Sequence, residues 1–153
     1  MEFQCKTLAD TTDLGAKLGA QLQKGDVVGL MGPLGVGKTT FVSGMAKGLG
    51  LDNYAVTSPT FVFAHIYDGK VPLYHMDLYR IEKESEIHNI GLEEMIGGEG
   101  VAAIEWMDRF PTVWSGDQIV IRMQYGEGQE RKIQMEGKGE RFKKIVNGLE
   151  NRR

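Results

Sequence analysis

Eight consecutive residues constrain this chain more than any others. Gly32-Pro33-Leu34-Gly35-Val36-Gly37-Lys38-Thr39 matches G-x-x-x-x-G-K-[ST] at each fixed position. A polyphosphate packs several negative charges into a small volume, so it needs many donors converging on one point. Glycines allow successive backbone N–H groups to curl inward without Cβ clashes, and some of them can take φ > 0. A helix beginning near Lys38 adds its unpaired N–H groups and its dipole. Lys38 is placed to reach the β/γ-phosphates, and the Thr39 hydroxyl to ligate Mg²⁺. The expected cofactors are therefore ATP and Mg²⁺. The expected phosphate-contacting set is Gly32, Leu34, Gly35, Val36, Gly37, Lys38, Thr39 and Thr40.

The flanks of the loop suit it. An apolar run, Val27 to Met31, reads as a buried strand, and Phe41, Val42, Met45, Ala46 and Leu49 then fall on one helical face. Elsewhere, residues 2–7 alternate like a strand. Thr11 or Thr12 is a plausible N-cap for a helix carrying Leu14, Leu18 and Leu22, closed by Lys24-Gly25-Asp26. Residues 60–67 and 70–76 read as strands joined by a two-residue Asp68-Gly69 turn, with Pro72 pushing the second toward a sheet edge. A helical region is expected over 83–96, closed by Gly97-Gly98, and a buried strand over Val101–Ile104, ending in Glu105. A second hairpin, 118–125 with 130–136, precedes a C-terminal helix bearing Phe142, Ile145, Val146 and Leu149. The pattern predicts one α/β domain over 1–153. It is a P-loop NTPase-like fold with a mixed, partly parallel sheet flanked by helices and edge hairpins.

Such a loop needs an acid to hold the metal or its water, usually at the end of a buried strand. Glu105 fits by position, either as a metal ligand beside Thr39 or as the group that polarises an attacking water. Asp77, inside His75-Met76-Asp77-Leu78-Tyr79-Arg80, is the second candidate acid; a turn or helix cap is the bland reading of it. With Lys38, these two acids form the expected catalytic set. His75 and Tyr79 read as packing residues, and no Cys/His spacing suggests zinc. Ser58-Pro59-Thr60-Phe61 stands where a γ-phosphate-sensing switch would lie, or is simply a turn entering a strand.

A net charge of −3 argues against a surface given over to nucleic acid. Lys143, Lys144, Arg152 and Arg153 read as a solvated helix end. A single cysteine, Cys5, excludes an internal disulfide and suggests a cytoplasmic chain; it reads as a half-buried strand residue. Neither a signal peptide nor an apolar run of membrane-spanning length is visible.

Gly32–Thr40, Ser58-Pro59-Thr60-Phe61, the string His75 to Arg80, Gly91-Leu92-Glu93-Glu94 and the pair Glu105-Trp106 together resemble the TsaE proteins in order and spacing. The resemblance covers essentially the whole chain, and the H-x-D-L-Y-R string with E-W is its most specific part. Pro33 and Val36 depart from the family's usual residues, between the fixed glycines. The resemblance implies an ATP- and Mg²⁺-binding ATPase of tRNA threonylcarbamoyladenosine biosynthesis. It would be weak alone, more active with the TsaB–TsaD pair, and would reset that complex between turnovers. TsaD would transfer the threonylcarbamoyl group, and tRNA would be met only through the complex. The resemblance also implies that Thr39 and Glu105 meet the metal and that Asp77 supports the phosphate site. Trp106 and Ser58–Phe61 would lie near the nucleotide or the partner. Residues around Thr7–Thr12 and Gln129–Arg131 are its candidates for the adenine pocket.

Three alternatives are less well served. A small-molecule kinase needs an arginine-bearing lid, and no Arg-rich insertion occurs between residues 80 and 130. A GTPase generally carries N-K-x-D, which is missing. A nucleotide-stabilised scaffold with little turnover would not need both Asp77 and Glu105.

Overall fold

Continuous apolar runs along the central strands, buried on both faces, set the layers. The structure is a computed structural model that describes residues 1–51, 53, 55–59 and 63–150. Its seven strands are β1 (Glu2–Cys5), β2 (Val27–Met31), β3 (Ala64–Tyr67), β4 (Leu73–Asp77), β5 (Val101–Glu105), β6 (Ile119–Tyr125) and β7 (Arg131–Gly137). They form one sheet in the order β1-β7-β6-β2-β5-β4-β3. The inner strands β6, β2, β5 and β4 run parallel, while β3, β7 and β1 are antiparallel additions at the flanks. The expected mixed, partly parallel α/β domain is what forms.

Because successive side chains point to opposite faces, Val28, Leu30, Val101 and Ala103 join one core with helices α1 (Leu8–Gly19), α2 (Lys38–Gly48) and α4 (Gly139–Glu150). Val27, Ala102 and Ile104 join a second core on the other face, with Ile87 of α3 (Glu84–Ile90) and Leu92 and Met107 of two short 3-10 turns. Among the helices, α1 and α2 pack closest. A Cβ added at Gly44 would overlap the carbonyl oxygen of Thr12, and one at Gly15 that of Phe41, so the two backbones touch along their length. On α4, Ile145 and Leu149 are buried. In β1, the inward Cys5 is 4% exposed, more buried than expected.

Several local expectations are corrected. Thr7, not Thr11 or Thr12, caps α1: its hydroxyl accepts from Asp10 N at 3.1 Å, while the Asp10 carboxylate accepts from Thr7 N at 3.0 Å. The helix ends at Gly19, before Leu22, although Leu22 is still buried. The β3–β4 connection runs from Asp68 to Pro72 rather than through a two-residue turn, since Tyr67 pairs with Leu73. Residues 60–62 of the expected first strand lie outside the described residues. Nor is β4 at the edge: Pro72 lies just before it, so the missing N–H is never asked for, and the Pro72 carbonyl accepts from Val101 N at 2.8 Å. The 83–96 region is broken at Gly91, whose φ of 76° separates α3 from the turn Leu92–Met95.

Candidate functional site

The parallel strands β2, β5 and β4 all end on the same margin of the sheet, where ligands of open α/β folds collect. From β2 the chain enters Gly32–Gly37 and then α2. Gly32 (φ 147°) and Gly37 (φ 116°) take backbone angles closed to residues with a Cβ, which is why the loop needs glycine there. Gly37 caps α2 without any side-chain acceptor, and the first turn of α2 carries no acid. The unpaired N–H groups and the positive end of the dipole are therefore left for an external anion.

Two carboxylates stand beside this helix terminus. Asp77 and Glu105 are register partners at the ends of β4 and β5, and only 2% and 3% exposed. The Thr39 hydroxyl donates to Glu105 Oε2 at 3.1 Å, and Ser58 to Asp77 Oδ2 at 3.3 Å. Tyr79 N donates to Asp77 Oδ1 at 2.8 Å. Leu34, Gly35, Gly37, Lys38, Thr39, Thr40, Ser58, Asp77, Glu105 and Trp106 line one cleft. Nearly all the residues expected from the sequence are thus brought together. Gly32 and Val36 are the two that do not line it; the Val36 side chain is wholly buried in the core.

Lys38 is held back along the loop. Its Nζ donates to the Gly32 and Pro33 carbonyls at 2.7 and 3.0 Å and lies 3.9 Å from the centre of the Trp106 ring. Burial pushes its ammonium below the usual lysine value, and the charges of Glu105, Asp77 and Asp108 partly restore it. Trp106 has a left-handed backbone (φ 61°), anchored by its N–H to Leu30 O at 3.0 Å, and packs on Tyr79 with 4.9 Å between ring centres.

The donor set suits a small hard cation, which takes few protein oxygens and completes its shell with phosphate and water. Thr39, Asp77 and Glu105 supply oxygen only. No cluster of three or more metal-ligating His, Cys, Asp or Glu side chains occurs among the described residues, so an all-protein cage is not on offer. An all-oxygen set of this kind is chemically suited to Mg²⁺.

A family model described as threonylcarbamoyl adenosine biosynthesis protein TsaE matches residues 5–133. The chain belongs to the TsaE family. Among curated TsaE relatives, the Bacillus subtilis protein is 42% identical over 136 residues, covering 88% of this chain and 84% of its own. The Treponema pallidum protein is 43% identical over 109 residues, 71% and 80% of the two chains. A solved structure, the crystal structure of Bacillus subtilis YdiB, superposes with a TM-score of 0.82 at 31% identity, over 99% of this chain and 95% of the other. Both curated relatives are tRNA threonylcarbamoyladenosine biosynthesis proteins by description.

For a TsaE chain, the sequence reading missed two braces of the loop. Tyr125 OH donates to Leu34 O at 2.7 Å, and Arg131 Nε to Val36 O at 2.7 Å. Arg131, one of the residues expected near an adenine, also braces the loop, and its guanidinium lies 4.7 Å from the Tyr125 ring centre. The hairpin β6–β7 that carries both is adjacent to β2, a neighbour relation that local patterning does not disclose. Of the switch-like segment, Thr60 and Phe61 lie outside the described residues, as do Arg152 and Arg153 of the basic C-terminus. No helix among the described residues is long and apolar enough to cross a membrane.

Proposed function

We propose that the chain is the Mg²⁺-dependent ATPase subunit of the tRNA threonylcarbamoyladenosine machinery, activated by TsaB–TsaD and resetting that complex between turnovers. The observation that carries this reading is the single cleft shared by Lys38, Thr39, Asp77 and Glu105, beside an α2 N-terminus with neither a side-chain cap nor an acid. In this reading ATP lays its β- and γ-phosphates on the N–H groups of Gly32 to Thr40. Lys38 leaves the Gly32 and Pro33 carbonyls to meet them. Thr39 and Glu105 would hold Mg²⁺ directly or through its water, and the bound ion would supply positive charge to the phosphoryl group. Asp77 fixes the turn into Tyr79 and adds a second negative charge near the cation. Glu105 orients the attacking water. The chain works in the cytoplasm and meets tRNA only through its partners.

ATP hydrolysis measured with and without TsaB–TsaD tests the proposal: turnover should be weak alone and rise with the pair. Lys38→Ala should weaken ATP binding by about a thousandfold, roughly 4 kcal/mol, by removing the charge on the phosphates. Glu105→Ala should keep the affinity but slow hydrolysis by on the order of a hundredfold. Unchanged ATP affinity in the Lys38 variant sinks the loop assignment. Unchanged turnover in the Glu105 variant reduces that acid to scaffolding.

A further inference from the structure

His75 reads as a packing residue in the sequence, yet its environment is polar at one point only. The ring is 0% exposed, in β4 two residues before Asp77, on the sheet face that also carries Glu105. Its Nε2 lies 2.5 Å from Glu105 Oε2, and its Nδ1 is buried with no hydrogen-bond partner among the described residues. A bare Nε2 would set its lone pair against the carboxylate oxygen at 2.5 Å, so that contact requires a proton on Nε2. The ring is accordingly assigned its proton on Nε2, donating to the carboxylate. Thr39 donates to the same oxygen at 3.1 Å, so Glu105 Oε2 is occupied by two donors. Glu105 Oε1 has no hydrogen bond among the described residues, and Glu105 lines the cleft.

We infer that His75 is the positioning residue of the site: its Nε2–H fixes one oxygen of Glu105 so that the other is presented to the metal-bound or attacking water. This rests on the ATPase reading above. A carboxylate on three rotatable bonds would otherwise sample several orientations, and only one aims Oε1 at the reacting water. A donor from β4 and a donor from α2 on the same oxygen remove that freedom. His75 itself never touches the nucleotide. It is separated from the cleft by the carboxylate that it holds, as buried partners commonly stand behind metal-site ligands. Asp77 is held separately, by Tyr79 N and Ser58.

The test pairs two variants with one spectrum. His75→Leu fills the volume without a donor, whereas His75→Gln restores an N–H near the Nε2 position. With TsaB–TsaD present, His75→Leu should lose 10- to 100-fold in kcat. Its KM and the ATP affinity by calorimetry should stay within about twofold, and His75→Gln should recover most of the loss. A Leu variant at wild-type kcat, or a Gln variant as slow as Leu, overturns the assignment. Thermal melts of both variants separate these results from misfolding: if His75→Leu is unfolded, the folded Gln variant and the spectrum decide. Ring ¹⁵N spectra of the unaltered chain should show His75 protonated on Nε2, with a far-downfield proton that disappears in Glu105→Ala. A proton on Nδ1 overturns the proposal without any turnover measurement. If the wild-type chain hydrolyses no ATP with its partners, the ATPase reading fails, and the spectrum still judges the His75–Glu105 geometry.

Discussion

On one face of the sheet, α1 and α2 meet backbone to backbone across Gly15 and Gly44; on the other, α3 and the 3-10 turns reach the strands through Ile, Leu and Met side chains. The buried ionisable groups His75, Asp77 and Glu105 all lie on the first face, in line with Leu73 and Ala103. The difference follows from what each face must hold. Side chains repack when disturbed, so a face joined through them tolerates change; touching backbones have no such slack. α2 begins at Lys38, so whatever fixes its later turns against α1 also fixes the amides, the ammonium and the hydroxyl at its start. Precision at the phosphate end is set several turns away.

One methyl added on the tight face should cost more than one removed on the loose face. Gly44→Ala drives a Cβ into Thr12 O. Overpacking of about 3 kcal/mol, offset by about 1 kcal/mol of better helix propensity, leaves a net loss of roughly 2 kcal/mol. It should also weaken ATP binding several-fold, because α2 has to move. Ile87→Val, in the second core, should cost about 1 kcal/mol in denaturant unfolding and leave ATP affinity untouched. Equal losses of affinity in both variants would break the comparison.

A smaller effect is expected from pH. Burial lowers the Lys38 pKa in the free chain, with Glu105, Asp77 and Asp108 opposing. Bound phosphates favour the charged ammonium, so ATP affinity should fall as pH rises toward that lowered value, with proton uptake on binding there. The unfolded lysine keeps its proton to higher pH. The stability of the free chain should therefore rise across the same window, from the lowered value up to the ordinary lysine value. Calorimetry in buffers of different ionisation enthalpy reads the uptake directly. An affinity independent of alkaline pH would mean that Lys38 is as solvated as a surface lysine.

The phosphate loop, the strand before it and the helix after it were legible because their determinants are local: fixed glycines, an apolar run, a helical stripe. Glu105 was legible from its place at the end of a buried run. His75 was not, since its partner is thirty residues away and only the parallel register of β4 with β5 brings them together. Tyr125 and Arg131 were hidden for the same reason, their strands reaching the loop through the β2–β6 pairing. Thr7 could have been found. The spacing Thr7-x-x-Asp10 is a capping box with aspartate in place of the commoner Glu or Gln, whereas Thr11 and Thr12 already lie inside the helix. β4 was misplaced at the edge because a proline was read as inside a strand that it merely precedes.

Cys5, the chain's one thiol, faces inward from β1, three strands away from β2. Burial also pushes its pKa up, so the fraction present as reactive thiolate is small even where solvent reaches it. A thiol label will therefore add only as fast as this strand breathes open. Since Cys5 is the register partner of Arg131, its rate with and without nucleotide becomes a clock for how far clamping the phosphates stiffens the strands that brace the loop.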